Sequence, residues 1–203
     1  MGAEMTLQEL LDIIEPSMPG TEATCSFVEA VRLAHTAIIN RLVQVRSDAL
    51  VQEITVDVAA GEDIGYLPDE FLSLSRRPQI VGGAFLNMLT SNDTSGLETA
   101  AVPAFYRVVG KLIQLFPPTA ADVTIKMLAR MRPDAPAAMY DDLPFTGDFD
   151  QIYIDGVIAI LSGGLAAMNA KTYVAGIQMQ VDQLLSGADG DDEQVLADSI
   201  NGI

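Results

Sequence analysis

The chain has 203 residues, 49% of them hydrophobic, enough to bury one core, or one core and a small lobe. Acidic residues outnumber basic ones 28 to 11, a net charge of −17, and the nearest thing to a basic stripe is Arg76-Arg77. That excludes a protein that grips phosphates by releasing their counterions, though DNA could still slide past an acidic surface.

No leader peptide is expected at Met1 to Met5, which lacks a basic start and a long apolar run. Thr6 and Glu9 are spaced as a capping box, with Met5 and Leu10 placed for a hydrophobic staple. Leu7, Leu10, Leu11 and Ile14 supply the stripe of a helix over about 6–15, which Pro16 and Pro19-Gly20 stop. The single cysteine, Cys25, leaves no internal disulfide and no cysteine zinc site. A longer helix, about 26–46, starts at Ser26 with Glu29 three residues on. Phe27, Val31, Ala34, Ile38, Leu42 and Val45 form its buried face. The only histidine, His35, lies in this pattern and reads as a core or helix-surface residue.

After Ala49 the period changes. Ile54, Val56 and Val58 alternate with Glu53, Thr55 and Asp57, the signature of a strand with one wet face. Tyr66 to Leu72 reads as a strand end running into a helical turn, and 78–83 and 84–89 as short extended pieces. Phe85, Leu86, Met88 and Leu89 make a dense apolar run. It fits a short strand packed on both faces, or a surface with Phe85 and Leu86 held for a partner. Residues 90–100 are polar and turn-rich, hence a loop. Phe105 to Leu115 forms a hairpin turning near Gly110-Lys111. Beyond Pro117-Pro118, Val123, Ile125 and Met127 alternate with Thr124 and Lys126, and antiparallel pairing of this strand with the hairpin is the economical arrangement.

A helix over 148–163 starts at Asp148 and buries Phe149, Ile152, Tyr153, Gly156, Val157 and Ile160. The apolar stretch from Ile152 to Met168 is interrupted by Asp155, Gly156, Gly163 and Gly164 and is too short to span a bilayer. A last helix, about 166–185, carries Tyr173, Val174, Ile177, Val181, Leu184 and Leu185 near a heptad seam. Residues 186–203 read as a flexible acidic linker followed by Val195, Leu196, Ile200 and Ile203. These four residues belong either to a frayed end or to an arm that docks in a neighbour's groove.

Signs of chemistry are few. Asp141 and Asp142 with Asp148 and Asp150, or Asp189, Asp191, Asp192 and Glu193, could invite a hard cation. Neither set has the spacing of an EF-hand loop, and both read as solvated carboxylates, so no metal or cofactor is expected. There is no phosphate-binding glycine loop, nucleophile elbow or zinc spacing, and Ser73 and Ser75 have no histidine partner but a distant His35, so no enzyme is expected.

Taken in order, the N-terminal helix pair, the strand running into Tyr66-Leu-Pro-Asp-Glu-Phe-Leu72 and the glycine-turn hairpin followed by Pro117-Pro118 form a recognisable series. The alternating strand and the Leu143-Pro144 before a helix at Asp148 complete it. The series resembles the head–tail adaptor, or connector, proteins of tailed bacteriophages, over most of residues 6–185. The resemblance implies an α+β, mainly α fold: a helical bundle with a small antiparallel β lobe at about 50–130, all within one domain over 1–185. It implies a structural virion protein of the neck, made in the host cytoplasm, with copies forming a ring, typically dodecameric. The ring would join the portal protein to the tail nozzle or tail tube, with genomic DNA as passing cargo and no membrane partner. Another neck or tail-completion protein, or a cellular helical scaffold or regulatory module, is the alternative. Val195, Leu196, Ile200, Ile203, Phe85 and Leu86 are the candidate partner-binding residues.

Overall fold

The structure, a computed structural model, describes residues 5–17, 27–90, 102–145, 147–163 and 171–186. The chain divides into two compact units, one of residues Met1–Val45 and Asp134–Ile203, the other of Arg46–Pro133.

The first unit is helical. Helix α1 (Leu7–Ile14) begins at Thr6, whose side chain accepts from the Glu9 amide while the Glu9 carboxylate accepts from the Thr6 amide, so the capping box forms as read. The first two helical amides have no partner inside the helix and would be orphaned. They donate instead to carbonyls of a later loop, Leu7 to Asp141 and Gln8 to Met139, and the Leu143 amide donates to Met5 in return. That loop is itself held by Asp141, whose Oδ2 accepts the amides of Ala137 and Ala138, both at 2.8 Å. These two bonds favour the charged form and hold the Asp141 carboxyl below the usual carboxylate range.

Helix α2 (Phe27–Gln44) buries Ala30, Val31, Ala34, Ala37, Ile38, Ile39 and Leu42 on a face rich in alanine. A 3-10 turn at Gly147–Phe149 leads into α3 (Asp150–Gly163), and residues 171–186 form α4. Gly156 of α3 sits where three helices meet, since a Cβ there would lie 2.9 Å from Ile177 Cδ1 of α4 and 3.6 Å from Ala34 Cβ of α2. Arg41 of α2 clasps Asp182 of α4 through two bonds, at 2.6 and 2.8 Å. His35, 3% exposed, shares a 2.8 Å hydrogen bond with the Tyr153 hydroxyl of α3 and stacks near Phe145. Burial pushes the Tyr153 phenol far above its usual range, so it stays neutral.

The second unit corrects the expected fold. The β portion is not a small lobe on a helical bundle; among the described residues it is a whole unit of two four-stranded sheets, and the fold is a mixed α+β one. Its strands are β1 (Val51–Val58), β2 (Ile64–Tyr66), β3 (Phe71–Leu74), β4 (Gln79–Ile80), β5 (Asn87–Met88), β6 (Phe105–Val109), β7 (Leu112–Phe116) and β8 (Val123–Met131). In the first sheet β8 pairs along its length with β1, from Val51↔Arg130 to Val58↔Val123. On its other side β8 takes β3 and then β4. The second sheet runs β2-β7-β6-β5, with β5 and β6 parallel.

Two further expectations change. Strand β8 does not pair with the β6–β7 hairpin, whose outer edges are taken by β2 and β5. Pro117 and Pro118 offer no amide to a ladder, and nine-residue β8 finds its length matched by eight-residue β1. The segment after Tyr66 is not a helical turn but a β-turn, closed by Phe71 N–H donating to Pro68 O at 3.1 Å, that delivers the chain straight into β3. Both sheets turn their apolar faces into one core. Val56, Val58, Ile125, Met127, Ala129 and Met131 come from the first, and Tyr106, Ile113 and Leu115 from the second.

That core leaves no room at Gly65, where a Cβ would lie 2.5 Å from Val56 Cγ1 and 3.1 Å from Val58 Cγ2 and Ile113 Cγ2. Gly65→Ala is therefore expected to destabilise by about 1–3 kcal/mol through overpacking against stiff β-branched side chains. Gly176→Ala in α4, where a Cβ meets nothing within 4 Å, should instead stabilise by about 0.5–1 kcal/mol. Urea midpoints for the two variants check both signs. For Asp141, whose folded pKa lies below its unfolded value, the carboxylate's contribution is present above the unfolded pKa of about 3.9 and is lost as pH falls through the folded value. Asp141→Asn should lower the thermal midpoint at pH 7, and the gap to the parent should close as the pH approaches 3.

Candidate interaction surfaces

Among the described residues no group of three or more His, Cys, Asp or Glu side chains converges as a metal site, and no helix is long and apolar enough to cross a membrane. Of the first acidic set, Asp141 is spent on the loop that caps α1, and Asp142 and Asp148 are exposed. The second set, Asp189 to Glu193, lies outside the described residues, as do Val195, Leu196, Ile200, Ile203 and the polar stretch 91–100.

The dense apolar run resolves into an inside and an outside. The chain leaves β4 through a tight bend, Gly83 N–H to Ile80 O at 2.8 Å, with Gly82 at φ 74°. Leu86 N–H then donates to Pro78 O, and the Leu86 side chain lies in the core at 0% exposure. Its neighbours go the other way: Phe85 is 62% and Met88 64% exposed. Of the two candidates in this run, only Phe85 presents its side chain to solvent.

Sequence reasoning missed a groove of ≈680 Å³ along the mouth between the two sheets. One wall is β3 and the residues after it, from Phe71 to Arg77; the other is Met88 of β5 with Tyr106 and Val108 of β6. Phe71 and Tyr106, each 6% exposed, form the floor, while Leu72 and Met88 stand open on the rims. Arg77 spans the groove towards Asn87, 3.4 Å from its Oδ1. Burial pushes the Tyr106 phenol up, and the charge on Arg77 pulls it part of the way back. Arg76 and Arg77 are exposed, and neither makes an ion pair with any described residue. The Arg76-Arg77 pair, the nearest thing to a basic stripe, was the one visible sign of this feature.

Charge is divided unevenly between the two units. Residues 46–133 hold eight of the 11 basic residues and ten of the 28 acidic ones, a net −2. The remaining residues hold three basic and 18 acidic, a net −15. The acidity of the chain is thus a property of its helical part and its termini.

No curated protein matches the chain. The sequence pattern of one family does, the SU10 adaptor protein, over residues 5–197. This match takes in nearly the whole length and bears out the resemblance to phage adaptors drawn from the order of elements. The chain belongs to the SU10 adaptor protein family.

Proposed function

We propose that this structural phage adaptor forms a ring in the virion neck, joins the portal to the tail, and continues the channel through which DNA leaves. The observation that carries the reading is the family match over residues 5–197. An adaptor works by holding other virion proteins, and the features found here are those of a binding protein: an open groove, exposed apolar side chains and a lopsided charge. A dodecamer is the ring the family resemblance implies.

The charge division supports the channel reading. A wall that carries net negative charge repels phosphates and gives them no cations to exchange for counterions, so DNA passes without being held. The helical unit, at −15, has the composition for such a wall, and the β unit, at −2, does not. The same charge acts on assembly. Copies carrying −17 each repel one another, most strongly at low salt, so the free protein is a monomer that closes into a ring only on the portal.

Cryo-EM of the particle is the direct test. A ring of copies in contact with the portal at one end and the tail at the other is expected. The chain traced elsewhere in the particle would remove the ring and leave another neck or tail-completion role, and its absence from particles would return the cellular-module alternative. Light scattering of the purified protein at low ionic strength should give the mass of one chain, and stable rings under those conditions would overturn the template requirement.

A further inference from the structure

We infer that the groove of the β unit receives the acidic C-terminal segment, residues 187–203, of an adjacent copy. The inference rests on the ring reading for the presence of an adjacent copy, and on the chemistry of the two surfaces for the match. The groove offers an apolar floor of Phe71 and Tyr106, apolar rims at Leu72 and Met88, and two exposed cations, Arg76 and Arg77. Its ≈680 Å³ falls within the roughly 300–1,000 Å³ typical of concave binding sites.

The segment 187–203 is the complement of that surface. It carries Asp189, Asp191, Asp192, Glu193 and Asp198 and no basic residue. Its apolar residues Leu196, Ile200 and Ile203 stand at the i, i+4, i+7 spacing with which an amphipathic segment anchors in a groove, with Val195 beside them. The acidic cluster precedes the anchors, so a single docked segment can place carboxylates at Arg76-Arg77 and aliphatic side chains on the floor. Few other stretches of this chain could play the part: 46–133 holds eight of the 11 basic residues, and the C-terminal segment is the densest run of acid in the sequence.

The electrostatic part of the match gives the test a signature. A contact of this kind weakens as salt rises and responds to charge reversal on either side. The probe is a fluorescent peptide of residues 187–203, titrated into the full-length protein and followed by anisotropy. Saturable binding is expected, weakened about tenfold or more by the double substitution Arg76→Glu, Arg77→Glu. Met88→Asp, at an exposed rim position, should weaken it as well. A peptide carrying Asp191→Lys and Asp192→Lys should bind the Arg76→Glu, Arg77→Glu protein better than the native peptide does.

Failure to bind, or binding that ignores both arginine substitutions, overturns the inference. The first result would leave the groove to another virion protein or to the chain's own tail. The two readings fail separately. A ring seen in the particle whose subunits do not take up the peptide leaves the adaptor ring standing without this contact. Uptake of the peptide by a protein missing from the neck leaves the contact and removes the ring.

Discussion

Strand β8 is the element on which the β unit depends. It is the longest strand, it is central, and three others hydrogen-bond to it: β1 on one side, β3 and β4 on the other. Its alternation does two things at once. Ile125, Met127, Ala129 and Met131 point into the core, while on the other face Lys126 pairs with Glu53 at 2.6 Å and Arg130 with Asp48 at 3.0 Å. A one-residue slip would exchange these faces and bury both cations, so the register of the first sheet is fixed by burial. The second sheet has no such strand. It is held to the first by the shared core and by hydrogen bonds at the turns, where Gly61 donates to Thr119 O at 2.7 Å and Lys111 reaches the carbonyls of Asp69 and Phe71.

The groove follows from this arrangement. Because β3 and β4 share one side of β8, each is short, and neither continues as a full partner strand. On the facing sheet β5 covers only the start of β6, pairing at Phe105 and Tyr106 and leaving Val108 beyond its end. Two short edge strands facing each other leave the mouth of the core incompletely covered. Proteins usually guard such edges with charge or irregularity. Here a register shift between Phe71 and Ser73 and the adjacent Arg76 and Arg77 do so on one side, yet Leu72 and Met88 stay open.

Helices were more legible than sheets, for a physical reason. Over ten or more residues an apolar stripe repeats several times, which is why the buried stripe of α3 and the buried face of α2 stand out, save that Val45, counted on that face, lies past the helix end and is exposed. A capping box is a local motif that needs no partner. Strands such as β2, β4 and β5, two or three residues long, do not complete one alternation, so their number was invisible and the β portion looked small. Pairing is invisible too, since proximity in sequence pointed β8 at the hairpin while its partners are the distant β1 and the short β3 and β4. The same limit applies to the surfaces. Leu86 and Phe85 are adjacent and equally apolar, and only the path of the chain after the bend at Gly82-Gly83 decides that one is core and the other exposed. The groove draws on three strands separated in sequence, so no local pattern could announce it. The acidic excess was plain, but its confinement to one unit depended on knowing where the units end.

That confinement bears on how copies can meet. At physiological ionic strength charges are screened beyond about 8 Å, so repulsion between two copies is governed by the charges near their contact, not by the total. Two helical units brought together would confront −15 with −15, whereas β units would confront −2 with −2 and have Arg76 and Arg77, without an ion pair to any described residue, among their exposed groups. An acidic segment seated on those arginines, as inferred above, would turn the chain's own excess charge from an obstacle to association into part of the contact. Were such a contact made between copies already gathered on a portal, a closed ring would leave no groove empty and no segment unpaired, whereas an open row would leave one of each.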